Sequence, residues 1–147
     1  RQPSRLRLMG ICQLKDTMNR ADIQSVIAKV PNLNDHGVGL FDRGRGLSPA
    51  ERNATLARDQ ESLLNSEKSC TKICEWLEQI KATKTINQRH SSYGLKHAVE
   101  TAIGEYVTNG AFIAAAIHCG FPYKIDVNGP NVAFGMSEMS LKYFTGQ

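Results

Sequence analysis

Two helical periods of apolar residues stand close together in the second half of the chain. Leu95, Ala98, Val99, Ala102 and Ile103 fall at i, i+3, i+4, i+7 and i+8, which is one face of an amphipathic helix. Ser91 and Ser92 offer N-caps ahead of it, and Gly104 fits the left-handed position that closes a helix. Phe112, Ile113, Ala116 and Ile117 form a second stripe, with Thr108 or Asn109 as its cap and Gly120 and Pro122 as its stop. Before the first helix the chain alternates like a polar strand. Thr83, Thr85, Asn87 and Arg89 fall on one side, and Lys84, Ile86, Gln88 and His90 on the other.

The same logic covers the flanks. Leu8, Ile11 and Cys12 have helical spacing among Arg1, Arg5, Arg7 and Lys15, a basic amphipathic helix or a loose basic arm. Asn19 caps a helix with Asp22 three residues on, Ile23, Val26, Ile27 and Val30 make its stripe, and Pro31 ends it. Residues 31–47 are rich in glycine and read as a mobile loop. Ser48-Pro49-Ala50-Glu51 is a capping box with proline at the first helical position. That helix runs on Leu56, Leu63 and Leu64 to a break at Asn65-Ser66, after which Cys70, Ile73, Cys74, Leu77 and Ile80 share a face beside Trp76. Residues 123–127 and 131–136 alternate around Asn128-Gly129-Pro130, a hairpin signal, and Ser137 caps a last short helix. The expected fold is mainly α (α+β): a helical domain with a strand-helix-helix segment and a small C-terminal β-hairpin. An N-terminal helical arm and glycine-rich loop (1–47) precede a core of 48–147, the whole forming one compact domain.

Strand, helix, tight turn and helix over 83–120 is the order of a ribbon-helix-helix DNA-binding module. Within it, Thr85-x-Asn87-x-Arg89 resembles the Gln-x-Asn-x-Arg strand of the Arc-repressor-like family. The resemblance covers about a quarter of the chain. This segment differs from the family in having only Ile86 as an inward apolar anchor, in its 104–109 turn and in its internal position. The resemblance implies a homodimer whose two strands form an antiparallel ribbon in the major groove of double-stranded DNA. Thr85, Asn87 and Arg89 would then meet base edges, where an amide suits adenine and a guanidinium suits guanine. Lys81, Lys84, Ser92 and the second helix's N-terminus at Asn109 and Gly110 would hold phosphates. Residues 83–144 are also similar to uncharacterised proteins encoded on bacterial plasmids and integrative elements, which implies a habitat and no biochemistry.

Composition changes this picture little. The chain has 147 residues, a hydrophobic fraction of 41% and a charged fraction of 22%, ordinary for a globular domain. The net charge of +4 and pI of about 9.0 favour a polyanionic partner. No apolar run approaches the roughly 18 residues of a membrane span, and the basic start lacks the apolar run of a secretion signal. The four cysteines are too scattered for a disulfide framework and read as reduced thiols in the cytoplasm.

Candidate chemistry is sparse. Cys70 and Cys74 lie one helical turn apart, but His97, His118 and Cys119 supply no zinc-type spacing, so no metal or other cofactor is expected. His118 and Cys119, adjacent on a helix, diverge by about 100° and make no dyad. Gly37-Val38-Gly39 and Arg43-Gly44-Arg45-Gly46 match no phosphate-loop motif. The expected function is a non-enzymatic, homodimeric, cytoplasmic DNA-binding protein of a plasmid or other mobile element, in transcription regulation, maintenance or a nucleoid-like role. The alternative is a protein-protein interaction module, or inhibitor of a host or phage enzyme, using Trp76, Phe41 and the 37–47 loop.

Overall fold

The computed structural model describes residues 17–40 and 46–145; the basic arm, Phe41, Arg43 and Arg45 lie outside them. The elements are α1 (Arg20–Lys29), β1 (Leu33–Asn34), β2 (Gly37–Val38), α2 (Pro49–Leu64), α3 (Glu67–Leu77), β3 (Ala82–Asn87), α4 (Ser92–Ile103), α5 (Asn109–His118), β4 (Tyr123–Ile125), β5 (Val132–Met136) and α6 (Glu138–Thr145). The result is an α+β fold with two small sheets.

Cap chemistry sets the helix starts. Asn19 Oδ1 accepts from the Asp22 N–H while Asp22 Oδ2 accepts from the Asn19 N–H, a reciprocal box that opens α1. Ser48 and Glu51 do the same for α2. Thr108 Oγ1 accepts from the Ala111 N–H and opens α5, and α4 closes on Gly104 at φ 75°.

The centre of the molecule is α5. Every residue from Asn109 to Ile117 is buried, and a helix apolar on all sides belongs inside a core. It packs against α1, α3 and α4. Phe112 meets Phe134 of β5 edge to face, with ring centroids 5.8 Å apart. Cys70, Ile73, Cys74, Leu77 and Ile80 face the same core, as their spacing predicts, and so does Trp76. On α4 the buried stripe is narrower than the spacing predicts: Leu95 and Val99 are buried, whereas Ala102 is exposed.

The polar strand differs most from expectation. Far from being left for a symmetry mate, β3 pairs antiparallel with β5 of the same chain, and β4 completes a sheet of order β3-β5-β4. The β4–β5 pair is the expected hairpin. Ala82 lies opposite Met136 and Asn87 opposite Phe134, so β3 carries a bulge between its ends. A bulge breaks the simple alternation of faces. The strand therefore has a partner within its own chain, and as the edge of the sheet it keeps its other edge unpaired.

The glycine-rich segment also departs from its reading as a mobile loop, as far as residue 40. Leu33, Asn34 and Gly37 are buried. Gln60 Nε2 donates to the carbonyls of Pro31 and Leu33, at 2.8 and 2.9 Å. The Asp35 N–H donates to Asp59 O, and the Val38 N–H to Pro130 O. Asn34 closes the turn from within, donating to Asn32 O and Gly39 O and accepting from the His36 N–H. This small hairpin joins α2, the N-terminus of α5 and the 129–131 turn, while α1 packs on α5, so both halves of the chain share one core.

Candidate nucleic-acid interface

The expected interface residues separate into two groups. Lys81, Lys84, Thr85 and Arg89 are exposed along β3 and its ends, and Lys124 is exposed on β4. Between the end of β3 and the β4–β5 hairpin lies a cleft of about 300 Å³, lined among others by Gln88, His90, Ser91, Lys124 and Asn131. Lys81, Lys84 and Lys124 make no ion pair among the described residues.

Asn87, Ser92, Asn109 and Gly110 are committed elsewhere. Asn87 Nδ2 donates to Met136 O at 3.1 Å and to Glu138 Oε1 at 2.9 Å, and its Oδ1 accepts from the Arg89 N–H. Its amide ties the strand to α6 and is not offered to a base edge. Ser92 is fully buried, with Oγ accepting from the Val132 N–H. Asn109 Nδ2 donates to His36 O and Asn131 Oδ1. Gly110 donates its N–H to Asp35 O. A helix N-terminus attracts anions, and here the chain supplies its own: Asp35 Oδ1 accepts from the Thr108 hydroxyl at 2.7 Å. With the β1–β2 hairpin seated on it, this N-terminus has no room for a phosphate.

Several carboxyls of the fold are held by internal hydrogen bonds. The Asn87 amide, with His90 Nε2 at 2.9 Å, holds the Glu138 carboxyl below the usual range against the opposing effect of burial. Burial acts to raise Glu100, but the Val107 N–H, Lys96 and His97 outweigh it and keep its carboxyl low. The Ser48 backbone and hydroxyl lower Glu51, whereas burial raises Asp35. These shifts give a pH prediction. Depressed carboxyls contribute stability above their unfolded value of about 4.5, and that stability is lost as pH falls through their folded values. Asp35 has the opposite sign and gains on acidification. The three depressed groups outnumber it, so urea midpoints should hold near neutrality and fall below about pH 4.5. A midpoint that rises on acidification would show that Asp35 dominates.

One cluster escaped the sequence reading. Lys96 is 3% exposed, and its Nζ lies 3.0 Å from Glu100 Oε2 and over the rings of Tyr93 and Tyr106. The i, i+4 spacing of Lys96 and Glu100 was its one visible signal.

The cysteines on α3 are core residues. Burial first, then Asp35 and Cys119, push the Cys70 thiol up to about 12, so near neutral pH it packs as an uncharged core group. Among the described residues no group of three or more His, Cys, Asp or Glu is placed to hold a metal ion. Trp76, which the interaction-module alternative would use as a contact, is 4% exposed and edge-on to Phe144 at 5.0 Å. It lines a shallow groove between α3, α4 and α6 with Gln79, Ile103 and Phe144. No helix among the described residues is long and apolar enough to cross a membrane. No family model, no curated protein and no solved structure matches the chain.

Proposed function

We propose that this is a non-enzymatic DNA-binding protein that contacts the phosphate backbone through its three-stranded sheet. The observation that carries this reading is the set of exposed cations at Lys81, Lys84, Arg89 and Lys124 along the sheet and its ends. Such a surface projects a positive field, offset locally by Glu138 near Arg89 and by Asp126 beside Lys124. The cleft beside Lys124 adds polar side chains at Gln88 and His90. Repression, plasmid maintenance and nucleoid-like packing would each use a surface of this kind.

Binding should weaken steeply with salt, because each phosphate contact releases counterions. Replacing Lys84, Arg89 and Lys124 together by alanine should cost more than about tenfold in affinity and flatten the salt dependence by about one unit of slope per contact. Neutralising the exposed Lys29 and Lys68, away from the sheet, should change little. Anisotropy titrations across a salt series measure both. Equal losses from the two sets of substitutions, or no binding at low salt, would sink the reading. A second reading as a protein-interaction module draws on the groove at Trp76. It predicts that Ala102→Arg abolishes capture of a protein partner and leaves DNA affinity unchanged, and a fall in DNA affinity in that variant would count against it.

A further inference from the structure

Tyr93 and Tyr106 are large aromatic residues left mainly in water, 52% and 75% exposed. Neither ring hangs free. The Lys96 ammonium lies 5.1 Å from the centroid of one and 4.7 Å from the other. Because both rings touch one ammonium, they are neighbours on the surface although 13 positions apart in the chain. Lys96 is itself fixed by Glu100, and Glu100 also accepts from the Val107 N–H, next in sequence to Tyr106. Tyr93 stands at 87° to the His97 ring, 4.7 Å away. Two aromatic rings are thus pinned in place, each with part of its surface open.

Rings fixed in advance lose little freedom when a flat partner stacks on them. Arg89 lies four positions before Tyr93 and is also exposed. A partner that uses both features must offer flat π surfaces and negative charge. Single-stranded nucleic acid offers both, and stacking on aromatic side chains tolerates any base sequence. A duplex keeps its base faces stacked inside and presents only edges and backbone. We infer that the DNA this protein takes is single-stranded, with unstacked bases lying on Tyr93 and Tyr106 and the adjoining phosphates on Arg89 and Lys84. The inference rests on the DNA-binding reading above.

The test compares an oligothymidylate with its duplex on oligoadenylate, at matched concentrations across a salt series, using the full chain. The single strand should bind at least about tenfold tighter, as loss of base stacking implies. Tyr93→Leu/Tyr106→Leu keeps an apolar cover over Lys96 and removes the π faces. It should lose more than about tenfold in single-strand affinity with its salt slope unchanged. Tyr93→Phe/Tyr106→Phe should bind like wild type. Melting curves of both variants establish that they are folded. Equal or tighter binding of the duplex, with the leucine variant unaffected and the Lys84, Arg89 and Lys124 substitutions still damaging, overturns this inference and leaves DNA binding standing. Failure of both forms to bind at low salt removes the DNA reading itself. Capture of a polyproline peptide instead, lost in the leucine variant, would overturn the inference in favour of a protein ligand.

Discussion

Gly110→Ala should lower the unfolding free energy by about 1–3 kcal/mol or more, the cost of forcing atoms into a packed site. A chain of this size then melts about 2–4 °C lower for each kcal/mol lost. The first turn of α5 lies directly beneath the β1–β2 hairpin. A Cβ at position 110 would collide with the Asn34 carbonyl oxygen and press on Asp35 Cα at 2.8 Å and the Asn34 carbonyl carbon at 2.9 Å. All three atoms are backbone, so no side chain can swing aside to relieve them. The hairpin would have to lift, giving up the bond from the Gly110 N–H to Asp35 O and the contact between Asp35 and Thr108. Gly94→Ala is the control. A Cβ there meets only Ser91 Oγ, at 3.7 Å, and alanine favours helix over glycine by up to about 1 kcal/mol. That variant should match or exceed wild type. If Gly110→Ala melts with the wild type, the hairpin does not sit on α5 as described.

What the sequence made legible was local. Asn19 with Asp22, Ser48 with Glu51 and Gly104 each announce a helix boundary, because a cap needs only residues within one turn of itself. The buried faces of α3 and α5 followed from periodicity for the same reason. Strand pairing is different in kind. The alternation of 83–90 identifies an extended segment and says nothing about its partner, which lies some 50 positions later at β5. Without that partner a polar strand appeared to need a second subunit.

Asn87 illustrates the ambiguity of polar chemistry. An amide that suits an adenine edge suits a main-chain carbonyl and a carboxylate equally well, and Met136 and Glu138 supply them. The helix N-terminus at Asn109 and Gly110 is a genuine anion site by its dipole, yet the anion is Asp35 of the same chain, 74 and 75 positions away. Glycine misled in the 31–40 segment. Gly37 stands at φ 129° against Pro130, so its missing side chain allows a close approach where composition alone suggests looseness. Lys81, Lys84, Thr85 and Arg89 are placed on the surface as expected, because exposed charge is the ordinary state of such residues.

Glu100→Ala should be more damaging than Lys96→Met, costing on the order of 3 kcal/mol. The Lys96 and Glu100 side chains are 4% and 18% exposed, with Nζ and Oε2 3.0 Å apart. Removing one partner of a buried pair strands the other charge, which costs about 3–5 kcal/mol where both are fully enclosed. The partial exposure of Glu100 places the expectation at the low end of that range. The same carboxylate accepts from the Val107 N–H at 3.0 Å and from His97 Nδ1 at 2.9 Å. Val107 is fully buried, so its N–H would lose its acceptor where little water can replace it. Lys96→Met removes the buried charge itself and should cost less, because Glu100 keeps the Val107 N–H and has some access to water. Lys96→Met/Glu100→Gln keeps an acceptor for Val107 and leaves neither charge, so it should recover most of what Glu100→Ala loses. Urea titrations of the four proteins give these differences directly. A loss below about 1 kcal/mol in Glu100→Ala would mean that the Lys96 ammonium reaches water freely. Tyr93 and Tyr106 would then no longer be pinned by a fixed cation, and the preorganised stacking surface would lose its physical basis.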